Sequence, residues 1–237
     1  MILDFKKIKN MDLSILVSNI SRKDLKPVMN APAGYVHYKL LAYIAHQLNN
    51  SIIIDIGTHH GLSCLALSVN RKNKVITYDI TPDKFGCIIP DNVERRIGNI
   101  FDLKEESTLL ESDFIFLDAA HRGDFELQVY KYLKNNNYKG FIVYDDIHWS
   151  NDMIKFWDAI SDDIKTDITY MGHGDGDGPN GCISGTGLVD FGGKIEILAT
   201  AEDSIQLSDT EKAEIKSALF NSTTIEKIPD GSTWWEK

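Results

Sequence analysis

Three aspartates and a histidine stand in two short segments unlike the rest of the chain. Asp118 closes the apolar run FIFLD, Asp145 and Asp146 close FIVYDD, and His121 follows Asp118 by three residues in LDAAHRGDF. Short apolar runs that end in an acid read as buried strands, and an open parallel sheet gathers its chemistry at the carboxyl ends of its strands. If the two strands are neighbours, the three carboxylates converge. Such a group repels itself and is costly to desolvate, and a hard divalent cation relieves both problems. Carboxylate oxygens, with water completing the shell, suit Mg²⁺ or Mn²⁺ better than Zn²⁺. Beside them, an imidazole with an ordinary pKa of about 6.5 can accept a proton at neutral pH. The competing reading is that Asp145 and Asp146 cap the next helix, and that His121 is solvated or orients a substrate.

A second segment has a different character. The run SIIIDI leads into Gly57-Thr58-His59-His60-Gly61 and then directly into a helical pattern. A strand, glycine loop and helix in that order let backbone approach a ligand and aim helix N–H groups at it. Asp79 ends the next strand run, where an acid can accept both hydroxyls of a ribose. The pattern G-x-x-x-G differs from the G-x-G-x-x-G of dinucleotide sites, which needs a close backbone approach to pyrophosphate. Asp55, just ahead of the loop, suits a cofactor that carries an ammonium group better than a pyrophosphate. The adjacent His59 and His60 point different ways and have no partner at i+4, so they read as loop contacts.

These residues need a frame. Strand-like runs occupy 51–56, 74–79, 113–118 and 140–145, with weaker candidates at 93–97, 167–171 and 185–191. Between them Leu62, Leu65, Ala66 and Val69 form one helical stripe, as do Phe125, Val129 and Leu133, and Ile154, Trp157 and Ile160. Residues 35–48 read as a helix ahead of the first strand. Strands apolar throughout are buried on both faces, so helices must cover both. The expected fold is α/β: a doubly wound, Rossmann-like, seven-stranded and mostly parallel sheet. Its last strand is expected antiparallel, because only the glycine-rich stretch 172–187 joins it to its predecessor. Three parts are expected: an N-terminal helical segment over 1–30 that could serve as a lid, a main domain over 31–195, and a C-terminal appendage over 196–237. The loop 172–181 lacks the third acid and terminal Glu of a calcium loop and reads as a lid or insertion.

At the acid–glycine loop the sequence resembles the class I S-adenosylmethionine-dependent methyltransferases, over roughly residues 35–191. In the Asp118 and Asp145-Asp146 segments it resembles their cation-dependent O-methyltransferases, a group that includes catechol O-methyltransferase and bacterial natural-product and sugar enzymes. The resemblance implies methyl transfer to a hydroxyl of an acceptor with neighbouring oxygens. It implies S-adenosylmethionine held by Asp55, Gly57, Gly61, Ser63, Asp79, Asn99 and Asp118, and Mg²⁺ or Mn²⁺ held by Asp118, Asp145 and Asp146. Asp118 and His121 are the implied catalytic pair. The catechol enzyme has a lysine base where this chain has His121, and an acid is more usual at Asn99. A nicotinamide-dependent oxidoreductase and a non-catalytic Rossmann-like binding module are the rival readings.

Composition narrows the partners. The chain has 237 residues, 43% hydrophobic and 25% charged, which is ordinary for a globular protein and ample for a buried core. No apolar run approaches the roughly 18 residues needed to cross a bilayer. The first residues are broken by Asp4, Asp12 and three lysines and lack the continuous apolar stretch of a signal peptide. The net charge of −10, without a basic cluster, points away from nucleic acid and towards a small-molecule or carbohydrate acceptor. Cys64, Cys87 and Cys182 have neither pairing nor metal spacing, which fits reduced thiols in a cytoplasm. Trp234 and Trp235 leave room for a homo-oligomer.

Overall fold

Alternate residues of the central strands face opposite ways, and in this chain both sets are apolar. The computed structural model describes residues 1–27, 29, 32–82, 85–169 and 184–198, with backbone alone at 32–36. The order begins β1 (Ile2–Asp4), α1 (Phe5–Lys9), α2 (Ser14–Val17), a 3₁₀ turn at Lys23–Leu25 and α3 (Pro32–Gln47). It continues with β2 (Ile52–Ile56), α4 (Leu62–Leu67), β3 (Lys74–Asp79), β4 (Val93–Ile97), α5 (Ser107–Glu111) and β5 (Phe114–Leu117). Then come α6 (Asp124–Asn135), β6 (Phe141–Asp145), α7 (Asn151–Asp158), β7 (Lys165–Asp167), β8 (Thr186–Asp190) and β9 (Glu196–Leu198).

Among the described residues, seven strands form one sheet in the order β4-β3-β2-β5-β6-β8-β7. All its pairings are parallel except those of β8 with β6 and β7. This is the mostly parallel, doubly wound sheet expected from the sequence, and its last strand, β8, is antiparallel as expected. One face buries Ile53, Val75, Phe114, Phe116 and Val143 beneath α1, α3 and α4. The other buries Ile54, Ile76, Ile115, Ile142 and Tyr144 beneath α6 and α7. The edge strand β4 is protected by charge: Lys74 and Arg96 both pair with Glu94, and Arg96 also pairs with Glu105.

Several elements differ from the expectation. The strand sought at 167–171 lies at Lys165–Asp167. The α6 stripe is Glu126, Val129, Tyr130 and Leu133, one residue out from the predicted one at its start, because a carboxylate takes the buried position. From the N-terminal segment Leu3, Phe5, Ile8, Leu13 and Met29 enter the main core. Short β1 pairs parallel with β9, joining that segment to the start of the C-terminal stretch. Cys64 and Cys87 are free and buried. The glycine-rich loop 172–181, Cys182 and the tail from 199 onward, with Trp234 and Trp235, lie outside the described residues. Among the described residues no helix is long and apolar enough to cross a membrane.

Candidate active site

The chain starts its parallel sheet at β2, builds outward through β3 and β4, then returns to β5 on the other side of β2. The carboxyl ends of β2 and β5 therefore flank the switch point, where an open α/β sheet leaves a crevice. The loops after these strands touch. Gly57 has φ +100°, and a Cβ there would lie 1.7 Å from the Asp118 carbonyl oxygen. Gly61 has φ +90°, and its missing Cβ makes room for the Phe85 ring. Left-handed backbone at His59, Ala120, His121 and Asp146 lies in the loops after β2, β5 and β6, and at Lys104 in the loop after β4. Such conformations persist only where their surroundings over-determine them, and they concentrate at functional sites.

The glycine-loop half is built around Asp55, which is wholly buried. One of its oxygens accepts hydrogen bonds from Thr77 Oγ1 (2.6 Å) and Ser63 Oγ (3.1 Å). The other, Oδ1, is buried without a partner. Burial pushes the carboxyl pKa up to about 7, the two hydroxyls oppose the shift, and the charges of Asp118 and Asp79 add to it. Asp79 shapes the loop by accepting the N–H of His59 (2.5 Å) and that of Thr81 (2.7 Å). Asn99, half-buried after β4, accepts the N–H of Phe101 at 2.9 Å.

The acidic half brings together a set that differs from the predicted one. Asp118 and Asp145 lie with His37, from α3, so that one ligand atom of each falls within 4.8 Å of the others. His37 Nδ1 is 3.5 Å from Asp145 Oδ1. Asp146, with φ +57°, turns its carboxylate towards His121 Nδ1 (3.4 Å) and the Ser184 side chain. Nε2 of His121 is 3.3 Å from Asp118 Oδ1, so the imidazole bridges two carboxylates. Burial disfavours its charged form, but the hydrogen bond to Asp118 and the charges of Asp118, Asp146 and Glu126 outweigh that and push its pKa up to about 9. Asp145 goes the other way from its bridged neighbour Asp118. Burial, then the charges of Asp146 and Asp118, hold its carboxyl well above the usual range. Burial holds the His37 imidazole below its ordinary value, with the charge of Asp118 opposing the shift.

His121 is held by a residue the sequence did not single out. The fully buried Glu126, at the third position of α6, accepts the N–H of His121 (2.9 Å) and that of Gly123 (2.8 Å). It closes the loop that carries Asp118 and His121. Glu126→Ala would leave one buried and one part-buried N–H unpaired, and at about 1–3 kcal/mol each a loss of about 2–6 kcal/mol is expected in urea unfolding. A loss within a few tenths would mean that water replaces the carboxylate. His37 was also missed: a lone histidine on an amphipathic helix far from the acids in sequence carries no spacing signal. His148, eight per cent exposed, gives a further contact at this end through Nε2 to Asp167 at 2.7 Å.

Among solved structures the chain aligns with a candidate caffeoyl-CoA O-methyltransferase from Staphylococcus aureus, at 15% identity and TM-score 0.50, over 78% of this chain and 96% of the other. The chain shares its fold. Two further alignments are with the S-adenosylhomocysteine-bound methyltransferase PaMTH1 of Podospora anserina and the O-methyltransferase of Bacillus cereus in complex with the same ligand. The first has 16% identity and TM-score 0.47, over 78% of this chain and 86% of that one. The second has 18% identity and TM-score 0.44, over 65% and 80%. No protein-family model and no curated protein sequence matches the chain. At such identities the fold alone is shared.

Proposed function

We propose that the protein is an S-adenosylmethionine-dependent, cation-assisted O-methyltransferase acting on a small molecule or sugar with neighbouring oxygens. The observation that carries this reading is one juxtaposition at the switch point. Gly57 joins a loop over a buried carboxylate with one unpartnered oxygen, Asp55, to a loop whose Asp118 lies with Asp145 and His37. Buried like charges with an orphan oxygen suit positively charged ligands, and both implied groups are cationic.

Asp79 would take the ribose hydroxyls, since a carboxylate offers about four lone-pair directions and two are used by the loop. Asn99 would border the adenine, and Gly57, Gly61 and Ser63 would line the methionine end near Asp55 and Asp118. S-adenosylmethionine, when bound, supplies an electrophilic methyl group on a positively charged sulfur. A divalent cation, when bound, lowers the pKa of a neighbouring acceptor hydroxyl. Asp118 and Asp145 would hold that charge, and the loops align acceptor oxygen with methyl group, which is where proximity lowers the barrier. His121 would take the acceptor's proton. In the ligand-free protein Asp118, Asp146 and Glu126 together favour the protonated ring, and a cation held by Asp118 would weaken the largest of these contributions.

Thermal unfolding with S-adenosylhomocysteine, and with NAD in parallel, tests the reading. Ligand at about 100 times its dissociation constant adds about 2.7 kcal/mol, a visible shift. The pH dependence has a definite sign. Burial pushes Asp55 up to about 7 against about 3.9 unfolded, so the cost to stability grows as pH rises from about 3.9 to about 7 and is present in full above that. An ammonium ligand favours the carboxylate, so affinity for S-adenosylhomocysteine is expected to rise about tenfold from pH 6 to pH 8. In Asp55→Asn it should be weaker and flat over this range. A shift with NAD alone would replace the reading with an oxidoreductase; no shift with either would leave a binding module.

A further inference from the structure

We infer that His37 is a direct ligand in the cation site, which makes it a mixed nitrogen–oxygen site selective for transition-metal ions such as Mn²⁺ and Co²⁺ over Mg²⁺. The inference rests on the cation-assisted reading above and sharpens it. The resemblance implies three carboxylates, Asp118, Asp145 and Asp146. The structure groups only two of them with an imidazole, while Asp146 is engaged by His121 and Ser184.

The geometry points to ligation rather than a chance approach. Two donors about 2.1–2.2 Å from one ion lie about 3.0–3.5 Å apart at octahedral to tetrahedral angles. The separation of His37 Nδ1 from Asp145 Oδ1 is 3.5 Å, long for a hydrogen bond and suited to a shared ion. The ring is also fixed in place. It packs edge-on against Phe116 (centroids 5.0 Å apart) and Tyr38 (5.2 Å), and its side chain is only 14% exposed. Phe116 lies on β5, two residues before Asp118, so the strand that presents one carboxylate also orients the imidazole.

Chemistry then sets the preference. Mg²⁺ binds oxygens in a near-ideal octahedron and keeps much of its water, whereas imidazole favours first-row transition metals. One nitrogen in place of a third carboxylate lowers the site's negative charge, which weakens hard-ion binding, and adds a donor that Co²⁺, and to a lesser degree Mn²⁺, accepts more readily than Mg²⁺. The same position next to Asp145 would let His37 act only as a hydrogen-bond partner or as a base, and the two roles separate experimentally.

The experiment uses the full chain, stripped with a chelator and titrated with Mn²⁺ while free ion is counted by electron paramagnetic resonance. Mg²⁺ is then the competitor. The expected result is Mn²⁺ binding that needs at least about tenfold more Mg²⁺ to reverse. His37→Gln should weaken Mn²⁺ about tenfold or more and leave Mg²⁺ affinity nearly unchanged, so that the preference collapses. Pulsed measurements on wild-type protein should show hyperfine coupling to a directly bonded nitrogen, which keeps the test alive if the variant fails to fold. If His37→Gln retains Mn²⁺ binding and selectivity while Asp145→Asn loses them, His37 is no ligand; that overturns this inference and leaves the methyltransferase reading intact. If wild-type protein binds no Mn²⁺ yet is still shifted by S-adenosylhomocysteine, the cation site itself is wrong. Loss of the S-adenosylhomocysteine shift in wild type is the separate failure of the parent reading.

Discussion

Asp145→Ala is expected to lower turnover at least about a hundredfold while leaving the protein as stable as before, or more so. Asp145 lies at the end of β6 with its carboxyl held well above the usual range by burial and by the charges of Asp146 and Asp118. In the ligand-free protein that group is a burden: removing it relieves repulsion and desolvation, which outweighs the loss of its hydrogen bonds with the Asp146 backbone and the Asp118 carboxyl. Its value lies in catalysis. Charge stabilisation by a held cation is worth several kcal/mol, and each 1.36 kcal/mol is tenfold in rate, so about 3 kcal/mol gives the hundredfold. Turnover and melting temperature, measured on the same preparation, check both halves, and a chelator should reproduce the rate loss in wild type. Wild-type turnover in the variant would remove the carboxylate from the mechanism. A large drop in melting temperature would make Asp145 a structural residue instead.

The second large effect is on stability. Gly57→Ala should destabilise by about 3–5 kcal/mol, a sizeable share of the roughly 5–15 kcal/mol that holds a domain together. Two penalties combine. A side chain at φ +100° is strained by about 1–3 kcal/mol, and its Cβ would sit 1.7 Å from the Asp118 carbonyl oxygen, so backbone must move. The movement separates the two loops of the site, so surviving protein should bind S-adenosylhomocysteine weakly as well. Urea unfolding and ligand affinity are the readouts. Near-native stability would show that the β2 and β5 loops yield more easily than their contact suggests.

How much of this was readable in the chain differs by element. Strands β3 and β4 were read to the residue, because Lys74–Asp79 and Val93–Ile97 are bounded by polar turns on both sides. The end-of-strand acids were legible for the same reason: where an apolar run stops at Asp118 or Asp145, the parallel sheet says which way the carboxylate lies. What failed to show was anything set by tertiary contact. β1 and β9 are three residues each and find one another from opposite ends of the described chain, with no local periodicity to announce them. Glu126 sits on an apolar stripe, and only the loop it clamps explains why a carboxylate is buried there. His37 belongs to α3, and its place beside Asp145 depends on how that helix lies across the strand ends. At Asp146 direction is set locally: adjacent acids read as a pair, but left-handed backbone turns the second carboxylate towards His121.

The position of β8 bears on how the protein must be made. Phe141–Asp145 is apolar and buried throughout apart from its terminal aspartate, with β5 along one side and β8 along the other. The residues that cover its second side, Thr186–Asp190, are synthesised some forty residues later, and β7 reaches the sheet only through them. Until they emerge, a nascent chain carries an unpaired, water-repelling strand edge, the kind of surface on which unfinished polypeptides associate with one another. A chain interrupted anywhere between β6 and β8 would therefore aggregate rather than persist as a shorter soluble fold.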